Sequence, residues 1–231
     1  MSGGNRRISV LVPVFDAERY LGEALDSALS QSVPPSEVVV VDDGSHDGSL
    51  RVASSFGERV RVVRQAHAGI GAAGNRLVSE ASGDWLAFLD ADDRWTPTAL
   101  AAHLAALESR PHADATLGLV VQFVSPELPE AARALLSCPA GPMPGAHPGA
   151  SLLRKSAFSR VGPFRVDLRV GEFVDWWMRG LEAGLDAASH DAVVLERRLH
   201  ETNTGRREKA AVTDYLKVVR QALARRRSGA P

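Results

Sequence analysis

The residues of this chain best placed to do chemistry are acidic and come in short clusters. Asp90-Ala91-Asp92 sets two carboxylates two residues apart, just past the apolar run Trp85–Leu89. At a turn, such a pair can face one hard cation that also bridges the phosphates of a ligand. The plainer alternative is a turn in which Asp92 or Asp93 caps the next helix. Asp42-Asp43-Gly44-Ser45 follows another apolar run, Val38–Val41. It reads as an ordinary turn or as a polar edge gripping a base and ribose. Glu172 and Asp175 are spaced i, i+3, so one helix would carry them on adjacent turns. A carboxylate there could take the proton of an attacking hydroxyl. The structural alternative makes Glu172 a helix cap and pairs Asp175 with Arg179 at i, i+4. His200 adds an imidazole able to ligate a cation or bind a phosphate, or simply to pack.

Strands must carry these clusters. Ile8–Val14 is continuously apolar and rich in β-branched residues, the pattern of a strand buried on both faces. From Glu18 to Ser30, Tyr20, Leu21, Ala24, Leu25, Ala28 and Leu29 form one helical stripe, ended by Pro34 and Pro35. Val38–Val41, Val60–Val63 and Trp85–Leu89 read as further strands, alternating with helices over Ser49–Phe56 and Gly71–Ser82. Strands and helices alternating at this spacing predict right-handed βαβ units and an α/β fold with a mostly parallel, wound sheet flanked by helices. Ligands of such sheets bind beyond the carboxyl ends of the strands, where both aspartate clusters fall. In the second half, Thr96 as N-cap predicts a helix over Pro97–Glu108. Leu117–Val124 and Ala192–Leu195 read as strands, and Phe173–Ala183 and Glu208–Arg227 as helices. Residues 137–149 carry four prolines and predict a loop over the site.

Composition narrows the class. The chain has 231 residues, 45% of them hydrophobic, with 27 Lys+Arg against 28 Asp+Glu. Near-neutral charge argues against a nucleic-acid partner. The single cysteine, Cys138, can form no internal disulfide, and no apolar run approaches the roughly 18–20 residues needed to span a bilayer. With a polar start at Met1–Arg7, these features predict a cytoplasmic globular protein.

Several motifs in order point to one family. Ser9–Leu21, Ala24–Ser32, Glu37–Ser49 and Gly83–Asp93 together resemble the first half of family 2 glycosyltransferases. Leu152–Gly162, Arg169–Arg179 and Arg197–Asn203 continue the likeness. The resemblance implies a GT-A fold that binds a nucleotide-diphosphate sugar, with UDP favoured, and transfers one sugar with inversion to an acceptor that the sequence does not identify. By position, Pro13, Val14, Asp16, Asp42, Ser45, Asn75, Asp90 and Ala91 would hold the donor. Asp92 and Asp90, with His200, would face Mg²⁺ or Mn²⁺. Two departures stand out: Gly74 occupies the usual arginine position before Asn75, and Phe173 replaces the aspartate often proposed as base. Glu172 is then the first candidate base and Asp175 the second. The implied division is a transferase domain over residues 1–205, its donor half at 8–97 and acceptor half at 98–205, with a basic helix and tail over 206–231. No Gln-x-x-Arg-Trp element is present, which argues by analogy against a processive synthase.

Other readings compete. Gly69-Ile70-Gly71-Ala72-Ala73-Gly74 fits the dinucleotide fingerprint GxGxxG of an NAD(P)-dependent oxidoreductase. Against it, Arg64–Ala68 separates the strand from the first glycine, where the fingerprint wants a tight turn, and the motif sits in the third βα unit. A non-catalytic sugar-nucleotide-binding protein is the third reading, supported by Phe173. Of Trp176 and Trp177, one is expected in the core, and the other could be core or sugar platform. The basic terminal helix is expected to be a solvated face or a weak contact to an anionic membrane surface. Oligomeric state is open.

Overall fold

Alternation along the strands builds the molecule. In the computed structural model, residues 6–200 and 209–228 are described, with side chains at 6–200 and 213–225. Strands β1 (Ile8–Val14), β2 (Glu37–Asp42), β3 (Arg61–Arg64) and β4 (Trp85–Phe88) run parallel in the order β3-β2-β1-β4. Val10 and Val12 of β1, Val38 and Val40 of β2, and Trp85 and Ala87 of β4 point to one core. Leu11, Val39, Val41, Leu86 and Phe88 point to the other. Helix α1 (Glu18–Leu29) covers the first core with Leu21, Ala24 and Leu25. Helix α3 (Ile70–Glu80) covers the second with Ala73, Leu77 and Val78. Period-2 strands between period-3.6 helices thus yield three layers. Helix α2 (Ser49–Ser54) is shorter than the predicted Ser49–Phe56 because a 3-10 turn over Gly57–Arg59 leads into β3.

The second half adds pairings that the sequence pattern does not announce. A two-residue strand β5 (Arg94–Trp95) follows β4, and helix α4 spans Ala99–Ser109. Thr96 is not its cap: the Thr96 hydroxyl donates to the Val193 carbonyl at 2.9 Å, and the helix starts two residues later than Pro97. Strand β6 (Ala115–Val124) is followed by a short helix α5 (Glu130–Ala134) and strand β7 (Ser151–Arg154), which pairs antiparallel with both β4 and β6. Helices α6 (Lys155–Val161) and α7 (Glu172–Glu182) pack on the second core. Strand β8 runs over Ala187–Leu199, far beyond the predicted Ala192–Leu195, parallel to β6 and antiparallel to β5. The full order is β3-β2-β1-β4-β7-β6-β8-β5, a mixed sheet whose first half is wholly parallel. Helix α8 (Lys209–Ser228) lies against α7. Glu201-Thr202-Asn203, Arg206 and Arg207, and the expected boundary at 205/206, lie outside the described residues.

The glycines of the GxGxxG run serve packing. A Cβ at Gly71 would stand 2.2 Å from the Arg165 carbonyl oxygen, and one at Gly74 would stand 2.8 Å from the Phe164 ring. Asn75 completes this seam: its side-chain amide donates to the Phe164 carbonyl at 2.9 Å and accepts the Phe164 N–H at 2.8 Å. Mid-helix Gly→Ala ordinarily gains up to about 1 kcal/mol. Here the sign reverses. Gly71→Ala is expected to cost about 1–3 kcal/mol, read as a lower urea midpoint at unchanged m-value. A stabilised variant would mean that the segment carrying Arg165 moves freely.

Candidate active site

Three loops meet where the parallel strands end, after β1, β2 and β4. That edge includes the switch in strand order around β1, where wound sheets bind ligands. Asp16, in the loop after β1, holds a left-handed conformation (φ 48°), tolerable for Asp because its short side chain bonds locally. Its N–H donates to Ser45 Oγ at 3.1 Å, and its carboxylate accepts the His46 N–H at 2.7 Å. The Ser45 N–H in turn donates to Asp42 Oδ1 at 3.1 Å. Asp42 Oδ2 is buried without a hydrogen bond and lies 3.4 Å from Arg64 Nε. The Arg64 guanidinium offsets its charge without hydrogen-bonding it, which leaves that hydrogen bond for a ligand to make. Phe15, in the loop after β1, is exposed and tilts against His67 at 4.2 Å between ring centroids. The neighbouring Asp43 orders the loop after β3, accepting N–H bonds from Ala68 (2.9 Å) and Gly69 (2.8 Å).

The second node is acidic. A cleft is lined by Pro13, Phe88, Asp90, Pro148, Glu172 and Phe173, among others. Burial, Asp92 and Glu172 push the Asp90 carboxyl up to about 7, with Arg197 opposing. Burial also raises Glu172 and drives Asp93 well above the carboxylate range. Carboxylates crowded in this way resist ionisation together, which is the electrostatic signature of a place that favours a cation. Asp92 Oδ2 lies 2.9 Å from His200 Nε2. The Asp93 carboxylate accepts the Arg198 N–H at 2.8 Å, while the Arg198 guanidinium donates to the Asp92 carbonyl at 3.0 Å and ion-pairs with Glu23. Strand β8 thereby pins the acidic turn from both sides.

Asp90, Asp93 and His147 bring donor atoms within 4.8 Å of one another. His147 Nδ1 accepts the Gly149 N–H at 3.1 Å, so the neutral ring carries its proton on Nε2. Burial and Arg197 hold it neutral by lowering its pKa to about 4. The ring therefore has a donor, not a lone pair, left to offer. The remaining donor set is carboxylate oxygen, which suits Mg²⁺ or Mn²⁺.

The structure sorts the remaining candidates. Pro13 lines the cleft, and the Val14 carbonyl accepts the Asp43 N–H at 2.8 Å. Ala91 is buried in the first core, and Asn75 is spent on Phe164. Asp175 is buried and accepts Arg179 Nε at 2.8 Å, with Arg165 Nη1 at 3.7 Å. Both tryptophans are core: Phe173, Trp176 and Trp177 stack or tilt within 6.0–6.5 Å. His147, on the proline-rich loop, and Arg197, on a strand longer than its apolar pattern, carried no spacing signal. The Arg197 side chain makes no hydrogen bond or ion pair among the described residues, yet its charge acts on Asp90, Asp93 and His147.

Known proteins resemble this chain in sequence and fold. EpsE of Bacillus subtilis (strain 168), named as a glycosyltransferase, is 30% identical over 190 residues, covering 77% of this chain and 68% of its own. An uncharacterized glycosyltransferase of Rickettsia typhi is 25% identical, covering 85% of this chain and 65% of its own. Among solved structures, Staphylococcus aureus TarS in complex with UDP-GlcNAc superposes with a TM-score of 0.74 at 20% identity, covering 94% of this chain and 65% of that one. The mannosyltransferase PcManGT of Pyrobaculum calidifontis, in complex with GDP-Man and Mn²⁺, gives 0.69 at 21% identity, covering 93% and 64%. These likenesses show the GT-A fold. The chain spans about two thirds of the length of each of these four chains. The dinucleotide reading falls away, since Gly71 and Gly74 face protein rather than a pyrophosphate. The model of "Glycosyl transferase family 2" matches residues 9–162, and the chain belongs to that family.

Proposed function

We propose that the protein transfers a single sugar from a nucleotide-diphosphate sugar, preferably a UDP-sugar, to an acceptor hydroxyl, with inversion and without processive elongation. The observation that carries this reading is the cleft shared by Asp90 and Glu172, with both carboxyls raised above their ordinary range. The Asp42 oxygen that makes no hydrogen bond offers an acceptor for an N–H of the base, and the exposed Phe15, in the loop after β1, offers a ring face. Asp90 and Asp93, whose donor atoms lie together, and Asp92 between them in the chain would hold Mg²⁺ or Mn²⁺, with His200 orienting Asp92. Bound there, the cation would neutralise charge building on the diphosphate leaving group. Arg197 adds a second positive charge on the same side.

Glu172 acts on the acceptor. Its carboxylate accepts the hydroxyl proton as the acceptor oxygen bonds to the anomeric carbon and the bond from that carbon to the diphosphate breaks. Burial raises its basicity, and the backbone N–H groups of Glu172 and Phe173 at the start of α7 temper the rise. Asp175 is committed to Arg179, which leaves Glu172 as the carboxylate at the cleft. The PcManGT complex carries GDP-Man with Mn²⁺ and the TarS complex carries UDP-GlcNAc, so the panel that tests the reading must span both bases. A thermal-shift series of UDP-, GDP- and dTDP-sugars with and without Mn²⁺ is expected to show one class stabilising by several degrees only with the metal. Equal shifts for all donors, or none, would overturn the donor-site assignment.

A further inference from the structure

Helix α8 has two apolar faces. Its inner face packs on the body through Val218 and Ala222, fixed by Lys217–Asp167 and Arg225–Glu182 ion pairs. Its outer face presents Leu216, Val219 and Leu223 at 50%, 41% and 48% exposure, spaced i, i+3, i+7 along one stripe. Arg220 lies in that stripe and makes no ion pair among the described residues. Tyr215, Leu216, Val219 and Leu223 are half of the large exposed apolar side chains among the described residues, gathered on one helix. Such clustering marks an interaction surface, whereas scattered apolar residues do not.

Charge selects the occupant. Residues 206–228 carry eight Lys/Arg and two Asp/Glu, so the segment is net +6 in a chain of net −1, and the rest is net −7. A second copy docking helix to helix would bring like charges together. An anionic bilayer offers negative headgroups and an acyl boundary at once, the combination that a basic helix with an exposed apolar stripe fits. No helix among the described residues is long and apolar enough to cross a membrane. We propose that the outer face of α8 docks flat on an anionic lipid surface.

The same helix borders the cleft. A Cβ on Gly171 would stand 3.1 Å from the Tyr215 ring, and Glu172 is the next residue. Resting on the transfer reading above, docking would bring the acceptor side of the cleft to the headgroups, where a hydroxyl on a membrane-borne acceptor could reach Glu172.

Co-sedimentation of the full chain with phosphatidylcholine/phosphatidylglycerol vesicles and with phosphatidylcholine alone tests this. The expected result is binding to the anionic vesicles that weakens with salt and falls at least about tenfold in Leu216→Glu/Leu223→Glu and severalfold in Arg220→Glu. An unchanged Tm in all variants confirms that they fold. Equal sedimentation with both vesicle types, or variants that bind like the parent, would overturn docking. So would a dimer lost in Leu216→Glu/Leu223→Glu without any vesicle binding. Donor hydrolysis in solution is expected to be unaffected by these substitutions, so failed docking leaves the transfer reading standing, and failed hydrolysis leaves docking standing.

Discussion

Glu172→Gln is expected to lower the turnover number by about 10²–10⁴-fold, the range that a positioned general base contributes. Donor affinity should stay within about twofold, because the loss falls on a proton transfer made only in the transition state. The side chain opens α7 immediately after Gly171, whose left-handed conformation (φ 82°) turns the chain into the helix and sets Glu172 on the cleft wall with Asp90. Glutamine keeps the volume and the hydrogen-bonding reach but has no basicity at any working pH. Asp175 serves as the control. Its carboxylate is buried between Arg179 and Arg165, so Asp175→Asn breaks an ion pair rather than removing a base. That change should appear chiefly as lost stability, about 3 kcal/mol or more for a buried pair. Steady-state kinetics with calorimetric donor binding separates the two. If Glu172→Gln lost binding and turnover equally, Glu172 would be a structural residue. If Asp175→Asn lost turnover at an unchanged Tm, the assignment of the base would move to Asp175.

The donor half was legible because its strands and helices alternate at a regular spacing. Within it β1 pairs with β2, and β2 with β3, each across one short crossover, β4 returns to pair with β1, and continuous valine and leucine runs mark strands buried on both faces. The turn residues at those strand ends then fall on one edge without any further assumption. The acceptor half was harder for the opposite reason. β7 is four residues long and pairs antiparallel with β4, Trp85 to Arg154 and Leu86 to Leu153, and β5 is two residues long, so neither shows a period. The polar ends of β8 hide its length, because Arg198 is held by the acidic turn and the charge of Arg197 acts on the same group, not on a core. Asp175–Arg179 was readable as an i, i+4 pair, but burial alone decides that it is structural. His147 was invisible. A proline-rich loop says nothing about which of its residues turns toward a carboxylate.

Asp90→Asn should stabilise the cation-free protein while abolishing divalent-dependent turnover. The folded chain holds the Asp90 carboxyl near 7, against an ordinary value of 3.8, because burial, Asp92 and Glu172 all oppose its charge. A carboxyl raised on folding binds its proton more tightly in the native state, so native stability is favoured at low pH and declines as pH climbs from about 4 through 7. Above pH 7 the ionised group costs on the order of 2–4 kcal/mol. Asparagine carries no charge to desolvate, and the difference between variant and parent should grow over the same interval. In EDTA at pH 8 the variant should melt roughly 5–10 °C above the parent, and at pH 5 the gap should narrow to a few degrees. Mn²⁺ should then raise the parent's Tm at pH 8, where Asp90 is free of its proton, and do much less at pH 5 or in the variant. A parent whose Tm is flat with pH in EDTA, or a variant whose advantage over the parent is no larger at pH 8 than at pH 5, would show that Asp90 ionises without penalty. The acidic turn would then store no electrostatic strain for a cation to relieve, and the stability cost that the fold accepts here would have to be sought in Asp93, which is buried behind it and braced by the Arg198 N–H.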